Sequence, residues 1–153
     1  MVRKRCNELA TDITNYSIYE QMIPFTGRIP ARQVLRNKPS PVGPKNLVCA
    51  TANGIMVDFE LFQGVGSFPD RGLGHGPSIV IRLVKHLQKQ SHLYFDRYFI
   101  TIPLLQKLLE LGFIATGTIM ANRLGKRINF PIGESINRGD SCQFLNNGTV
   151  AVK

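Results

Sequence analysis

Among the carboxylates of this chain, Asp96 carries the most chemical information. It closes "SHLYFD", an apolar run that reads as a short strand, and in α/β sheets ligands and catalytic groups collect where strands end. A carboxylate there has two uses: it binds a hard cation such as Mg²⁺ through oxygen, or it caps the following turn. Asp58 and Glu60 lie in "IMVDFELFQ", and Glu20 directly follows Tyr19 in "SIYEQM". Successive strand side chains point to opposite faces, so Glu20 reaches the Tyr19 side only through a slip or bulge. His75, His86 and His92 lack metal-site spacing with a Cys or carboxylate pair and read as solvated or hydrogen-bonded. Ser17, Ser78 and Ser141 sit in no nucleophile elbow, which leaves acyl transfer without support. Gly72, Gly74 and Gly76 precede a helix as in a phosphate cradle, but the Gly-Lys-Ser/Thr ending is missing, so a turn is expected.

The totals narrow the class. At 153 residues the chain fits one domain with a single core, and 43% apolar residues is ordinary for a globular protein. No run approaches the roughly 18 to 20 apolar residues that span a bilayer, and the basic start "MVRKR" has no apolar segment behind it. A membrane role and a secretory signal are therefore not expected. Cys6, Cys49 and Cys142 are odd in number and dispersed, which predicts reduced structural thiols rather than a disulfide framework or zinc knuckle. Nineteen Lys and Arg against ten Asp and Glu leave a net charge of +9, which favours a polyanion, nucleic acid before lipid.

These residues need a scaffold. "RKRCNELA" reads as a helix already under way where the chain begins, and Asn15 to Gln21 as a first strand. A loop rich in proline and cations follows, from Pro24 to Lys45. In "NLVCATANGIMVDFELFQG" the Asn53-Gly54 pair predicts a type I′ turn between Leu47–Ala52 and Ile55–Gln63, with Ile55, Val57, Phe59 and Leu61 on one apolar face. A helix then places Ile79, Val80, Leu83, Val84 and Leu87 on one stripe and Arg82, Lys85, His86 and Lys89 outward. "TIPLLQKLLELG" is a second helix with Thr101 as N-cap, Leu104, Leu105, Leu108 and Leu109 inward, and Gly112 as its stop. "FIATGTI" is a further strand, "ANRLGKRINFP" is basic and irregular, and "GDSCQFLNNGTVAVK" reads as a hairpin cut off mid-strand with Asn147-Gly148 near its turn. The order, three strands, helix, strand, helix, strand, predicts a mixed α/β sheet with helices against it.

The segments "QMIPFTGR", "NKPSPVGPKN", "DFELFQG", "GLGHGPSIVIRL", "YFDRYFITIPLLQKLLELGFIATGTIMANR" and "RGDS" together resemble the transposase domain of the piggyBac family. The resemblance runs from Arg3 onward and is most specific between Tyr94 and Arg123. It implies a ribonuclease H-like fold, here incomplete, with the start of an inserted β segment. In active relatives that fold cuts and rejoins DNA with two Mg²⁺ or Mn²⁺ ions held by three aspartates, a pair of metals activating the attacking oxygen and stabilising the leaving one. The organisation implied is a remnant of a helical region over 1–14, a partial transposase domain over 15–120, and a basic loop with a truncated insertion over 121–153.

Asp96 in "FDRYF" matches the family's second aspartate, and Tyr19 of "SIYEQM" falls where the first belongs. The third is expected beyond Lys153, so one ligand of three is present. A phenol offers no negative charge to a divalent ion, and Arg97 stands where the family has Asn, beside the surviving carboxylate. The expectation is an enzyme fold without its chemistry: no cofactor, no small-molecule substrate, and DNA bound non-specifically. Arg28, Arg32, Arg36, Lys38, Lys45, Arg123, Lys126 and Arg127 are the candidate phosphate contacts, with a nuclear or intracellular location implied. The alternative is a domesticated DNA-binding or chromatin-associated module. An uncovered sheet face is also expected, inviting homo-oligomers.

Overall fold

A computed structural model describes residues 2–9, 14–36, 39–64, 72–124 and 139–153. The chain forms α1 (Val2–Leu9), β1 (Asn15–Met22), β2 (Arg32–Val34), β3 (Val42–Thr51), β4 (Met56–Leu61), α2 (His75–Leu83), β5 (His92–Phe95), α3 (Ile102–Glu110), β6 (Ile114–Gly117), β7 (Gln143–Asn146) and β8 (Thr149–Val152). Six strands make one mixed sheet. β3, buried from Gly43 to Thr51, lies between β1 on one side and β4 and the short β2 on the other, all antiparallel to it. Beyond β1 the sheet turns parallel, β1 to β5 to β6. The hairpin β7–β8 is a separate sheet. Strand β2, inside the proline-rich loop, escaped a reading by periodicity because three residues are too few to show any.

One face of the sheet carries the core. Tyr16 and Ile18 of β1, Leu47 and Cys49 of β3, and Leu93 and Phe95 of β5 meet Ile79, Val80, Leu83 and Val84 from α2 and its 3₁₀ continuation, with Leu104 and Leu108 from α3. The α2 stripe is as the periodicity predicts, and Leu87 packs half-buried at its end. In α3, Thr101 caps the helix by accepting the Leu104 N–H at 3.3 Å, and Leu105 packs on the core. Leu109 was expected inward and is instead 51% exposed, because the nine-residue helix presents only Leu104 and Leu108 squarely to the sheet.

The two Asn-Gly pairs form different turns. At Asn147-Gly148 both residues have positive φ, 44° and 75°, the type I′ geometry of a two-residue hairpin. At Asn53-Gly54 only Gly54 is left-handed, at 81°. The Gly54 N–H bonds back to the Thr51 carbonyl, and the Thr51 hydroxyl accepts the Ile55 N–H, a longer turn in place of the expected I′ form. β4 also carries a bulge. Cys49 pairs with Asp58 but Ala50 with Met56, leaving Val57 as the extra residue. The predicted alternation therefore breaks: Val57 and Asp58 are both buried, while Ile55 and Leu61 are partly exposed.

Candidate functional site

The parallel register places Ser17 beside Tyr94 and Ile18 beside Phe95. One residue further, Tyr19, within β1, stands level with Asp96, which directly follows the end of β5. Both line an open cavity of about 490 Å³, together with Ser17, Tyr94, Thr116 and Thr118. Tyr19 and Asp96, the two positions the resemblance singles out, thus line one cavity. The Asp96 carboxylate accepts the Arg97 N–H at 2.6 Å, and its carbonyl accepts the Phe99 N–H at 3.0 Å, so Asp96 caps the turn that follows β5. Among the described residues no three His, Cys, Asp or Glu side chains converge as a metal site. One carboxylate, a neighbouring phenol and the adjacent Arg97 do not fit a pair of divalent ions.

Glu20 points to the opposite face of β1, as strand alternation requires. There it meets Lys45 at 2.6 Å, and the Lys45 ammonium lies 4.4 Å from the centroid of the Tyr98 ring. This corrects the reading of Lys45. It is 8% exposed and its charge is met by Glu20, so it is not available to a phosphate. Its place is structural: it ties the end of β1 to the turn after Asp96.

The same turn is held from a second side. The Arg123 guanidinium donates to the carbonyls of Arg97, Tyr98 and Ile100 at 2.8, 2.9 and 3.3 Å. Gly76, in the first turn of α2, leaves room for the Tyr98 carbonyl, which a Cβ would approach to 2.9 Å. The third glycine of the Gly-rich stretch thus serves a close contact between helix and turn. No sequence signal links Arg123 or Gly76 to Asp96; the chain separations hide them.

The other candidate phosphate contacts divide. Arg28 and Arg36 are exposed. Arg32 is exposed yet donates to the carbonyls of Thr26 and Gly27 at 2.9 and 3.2 Å, bracing its loop. Lys38, Lys126 and Arg127 lie outside the described residues. Arg82, expected to face outward, instead turns to the sheet and bridges Asp58 and Glu60, the latter at 2.8 Å. Strand alternation predicts that two acids spaced i, i+2 share a face; the cation between them comes from a helix more than twenty residues away.

The chain is an α/β domain, a mixed sheet whose core face is packed by α2 and α3, with an acidic residue just past the end of a parallel strand. Residues 2–150 match the family described as Transposase IS4. The chain is 36% identical over 113 residues to the human PiggyBac transposable element-derived protein 2, covering 71% of this chain and 19% of that protein. It is 31% identical over 130 residues to the human PiggyBac transposable element-derived protein 3, covering 82% of this chain and 22% of that protein. A piggyBac transposase, solved by cryo-EM as a synaptic complex with hairpin DNA, superposes with a TM-score of 0.80 at 27% identity over 91% of this chain and 30% of its own. The chain belongs to the piggyBac-type transposase family and spans about a fifth of the length of the curated relatives it matches. Among the described residues no helix is long and apolar enough to cross a membrane.

Proposed function

We propose that this chain keeps the DNA-binding scaffold of a piggyBac-type transposase domain without two-metal DNA cleavage. The sheet order, antiparallel around β3 and then parallel through β5 and β6, supports a ribonuclease H-like frame over 15–120, with 1–14 and 121–153 as flanking segments. The observation that carries the loss of chemistry is Tyr19 level with Asp96. Two divalent ions need several carboxylates to balance their charge, and the cavity offers a phenol where the resemblance places the first aspartate. No divalent ion is expected to be held there in catalytic form.

What remains is charge. A net +9 attracts the phosphate backbone irrespective of sequence, and the solved relative is itself a complex with hairpin DNA. Arg28 and Arg36 are exposed to make such contacts, with Lys38, Lys126 and Arg127 in the same basic segments of the sequence. Arg32 and Arg123, although engaged to carbonyls, keep their charge and add to the field. A DNA-acting domain of this kind works in the nucleus. Titrating the chain into labelled duplex DNA at several salt concentrations tests the reading. Neutralising about five phosphates gives a slope of log affinity on log salt near −4.5. A flat salt response would overturn it.

A further inference from the structure

The chain contains one dipeptide twice, Asn53-Gly54 and Asn147-Gly148, and places the two copies in unlike surroundings. Asn-Gly is chemically labile, because glycine has no Cβ to shield its nitrogen from the neighbouring side-chain amide. Asn53-Gly54 joins β3 to β4 within the six-stranded sheet, where β3 is buried and paired on both sides. Its nucleophile is occupied: the Gly54 N–H donates to the Thr51 carbonyl at 2.9 Å, and Thr51 is bonded in turn to Ile55 on the far side of the turn. Asn147-Gly148 closes β7–β8, a two-stranded sheet of its own with four residues in each strand. Among the described residues the Gly148 N–H has no hydrogen-bond partner. A two-stranded hairpin is marginal in water and opens locally far more often than strands inside a larger sheet.

We propose that Asn147 is a site of spontaneous deamidation and isoaspartate formation, whereas Asn53, in the same dipeptide, is protected by the fold. The Gly148 nitrogen gives its proton to hydroxide and attacks Cγ of Asn147. The N–Cγ bond forms, the Cγ–Nδ2 bond breaks, and the amide nitrogen leaves as ammonia after taking a proton from water. Water then opens the five-membered imide at Cγ, leaving an aspartyl residue, or at the backbone carbonyl, leaving an isoaspartyl one. The sum is one water in and one ammonia out, with no oxidant or reductant. Ring closure takes backbone torsions that a folded turn does not hold, so the rate follows how often each turn opens. An isoaspartyl link adds a backbone methylene to a two-residue turn whose positive φ angles, 44° and 75°, set the pairing of Leu145 with Val150 and of Gln143 with Val152. The turn also rests on α3, since a Cβ at Gly148 would lie 3.0 Å from Leu109 Cδ2, so the modification alters the seat of the hairpin as well as its register. The isoaspartyl carboxylate is in turn a substrate for a carboxyl methyltransferase that uses S-adenosylmethionine.

The test ages the full chain in mildly alkaline buffer, with and without urea, and maps digests by mass spectrometry over time. Isoaspartate is counted by methyl transfer from S-adenosylmethionine with an isoaspartyl methyltransferase. In the folded chain Asn147 is expected to convert at least about fivefold faster than Asn53, the factor set by the net worth of the one hydrogen bond that Gly54 must give up. In urea, where both turns are lost, the two sites are expected to react at like rates, because the dipeptide is the same. Asn147→Gly keeps a residue at ease with positive φ and removes the amide; it is expected to abolish most of the methyl-accepting signal, while Asn53→Gly leaves that signal unchanged. Conversion of Asn53 as fast as Asn147 in the folded chain would overturn the proposal. So would the same rate ratio in urea as in buffer, or no conversion at Asn147 under conditions where the urea-treated chain converts. DNA plays no part in these readouts, so the site stands or falls apart from the DNA-binding reading.

Discussion

Arg82→Ala lowers the unfolding free energy by about 3–5 kcal/mol, measured by urea or thermal denaturation. Asp58 is 2% exposed and faces the Arg82 guanidinium, which also reaches Glu60 at 2.8 Å. Removing the cation takes a charge partner from two acids close together on one strand face, one of them buried, where desolvation opposes the charged form. The Phe59 N–H donates to Asp58 at 2.8 Å. Replacing the trio together with apolar residues of similar size is expected to cost far less than Arg82→Ala, because the penalty lies in breaking the cluster rather than in lacking it. A loss below about 1 kcal/mol for Arg82→Ala would place the cluster among ordinary surface ion pairs.

The second large effect is alkaline. Cys49 pairs with Asp58 across β3 and β4 and is fully buried; burial, then the Asp58 charge, pushes its thiol from an ordinary 9.0 up to about 12. Below pH 9 both the folded and unfolded thiols keep their proton and stability is unaffected. Above it the unfolded thiol ionises while the folded one does not, so the unfolded state binds fewer protons and stability falls as pH rises. The slope is about 1.4 kcal/mol per pH unit, accumulating to about 4 kcal/mol by pH 12. Burial also raises the Tyr16 phenol above 10.0, with the Cys49 charge adding, and this acts in the same direction. Equilibrium unfolding between pH 8 and 11 checks this, with Cys49→Ala expected to remove the thiol's share of the slope. An unchanged slope in Cys49→Ala would contradict it.

These two residues also mark what a reading of the sequence can reach. The 3.6-residue stripe of α2, the Thr101 cap of α3 and the strand ending at Asp96 are local patterns, and each is found where its pattern places it. The bulge at Val57 is not local: it depends on how β4 meets β3, and it turns Asp58 inward against the alternation of its strand. The helix stripe alone places Arg82 outward, and the basic loop alone makes Lys45 a candidate phosphate contact. Both instead answer an acid on another element, a partnership set by tertiary contact. The juxtaposition of Tyr19 and Asp96 was legible only through the family resemblance, since nothing in the spacing of the two residues says that β1 and β5 are neighbours.

The most direct test of the central claim is incubation of the purified chain with DNA and Mg²⁺ or Mn²⁺, with Asp96→Ala in parallel. The account predicts intact DNA and no difference between the two proteins, because a lone carboxylate beside Tyr19 does not assemble a two-metal centre. Metal-dependent strand cleavage by the parent chain that disappears in Asp96→Ala would contradict it.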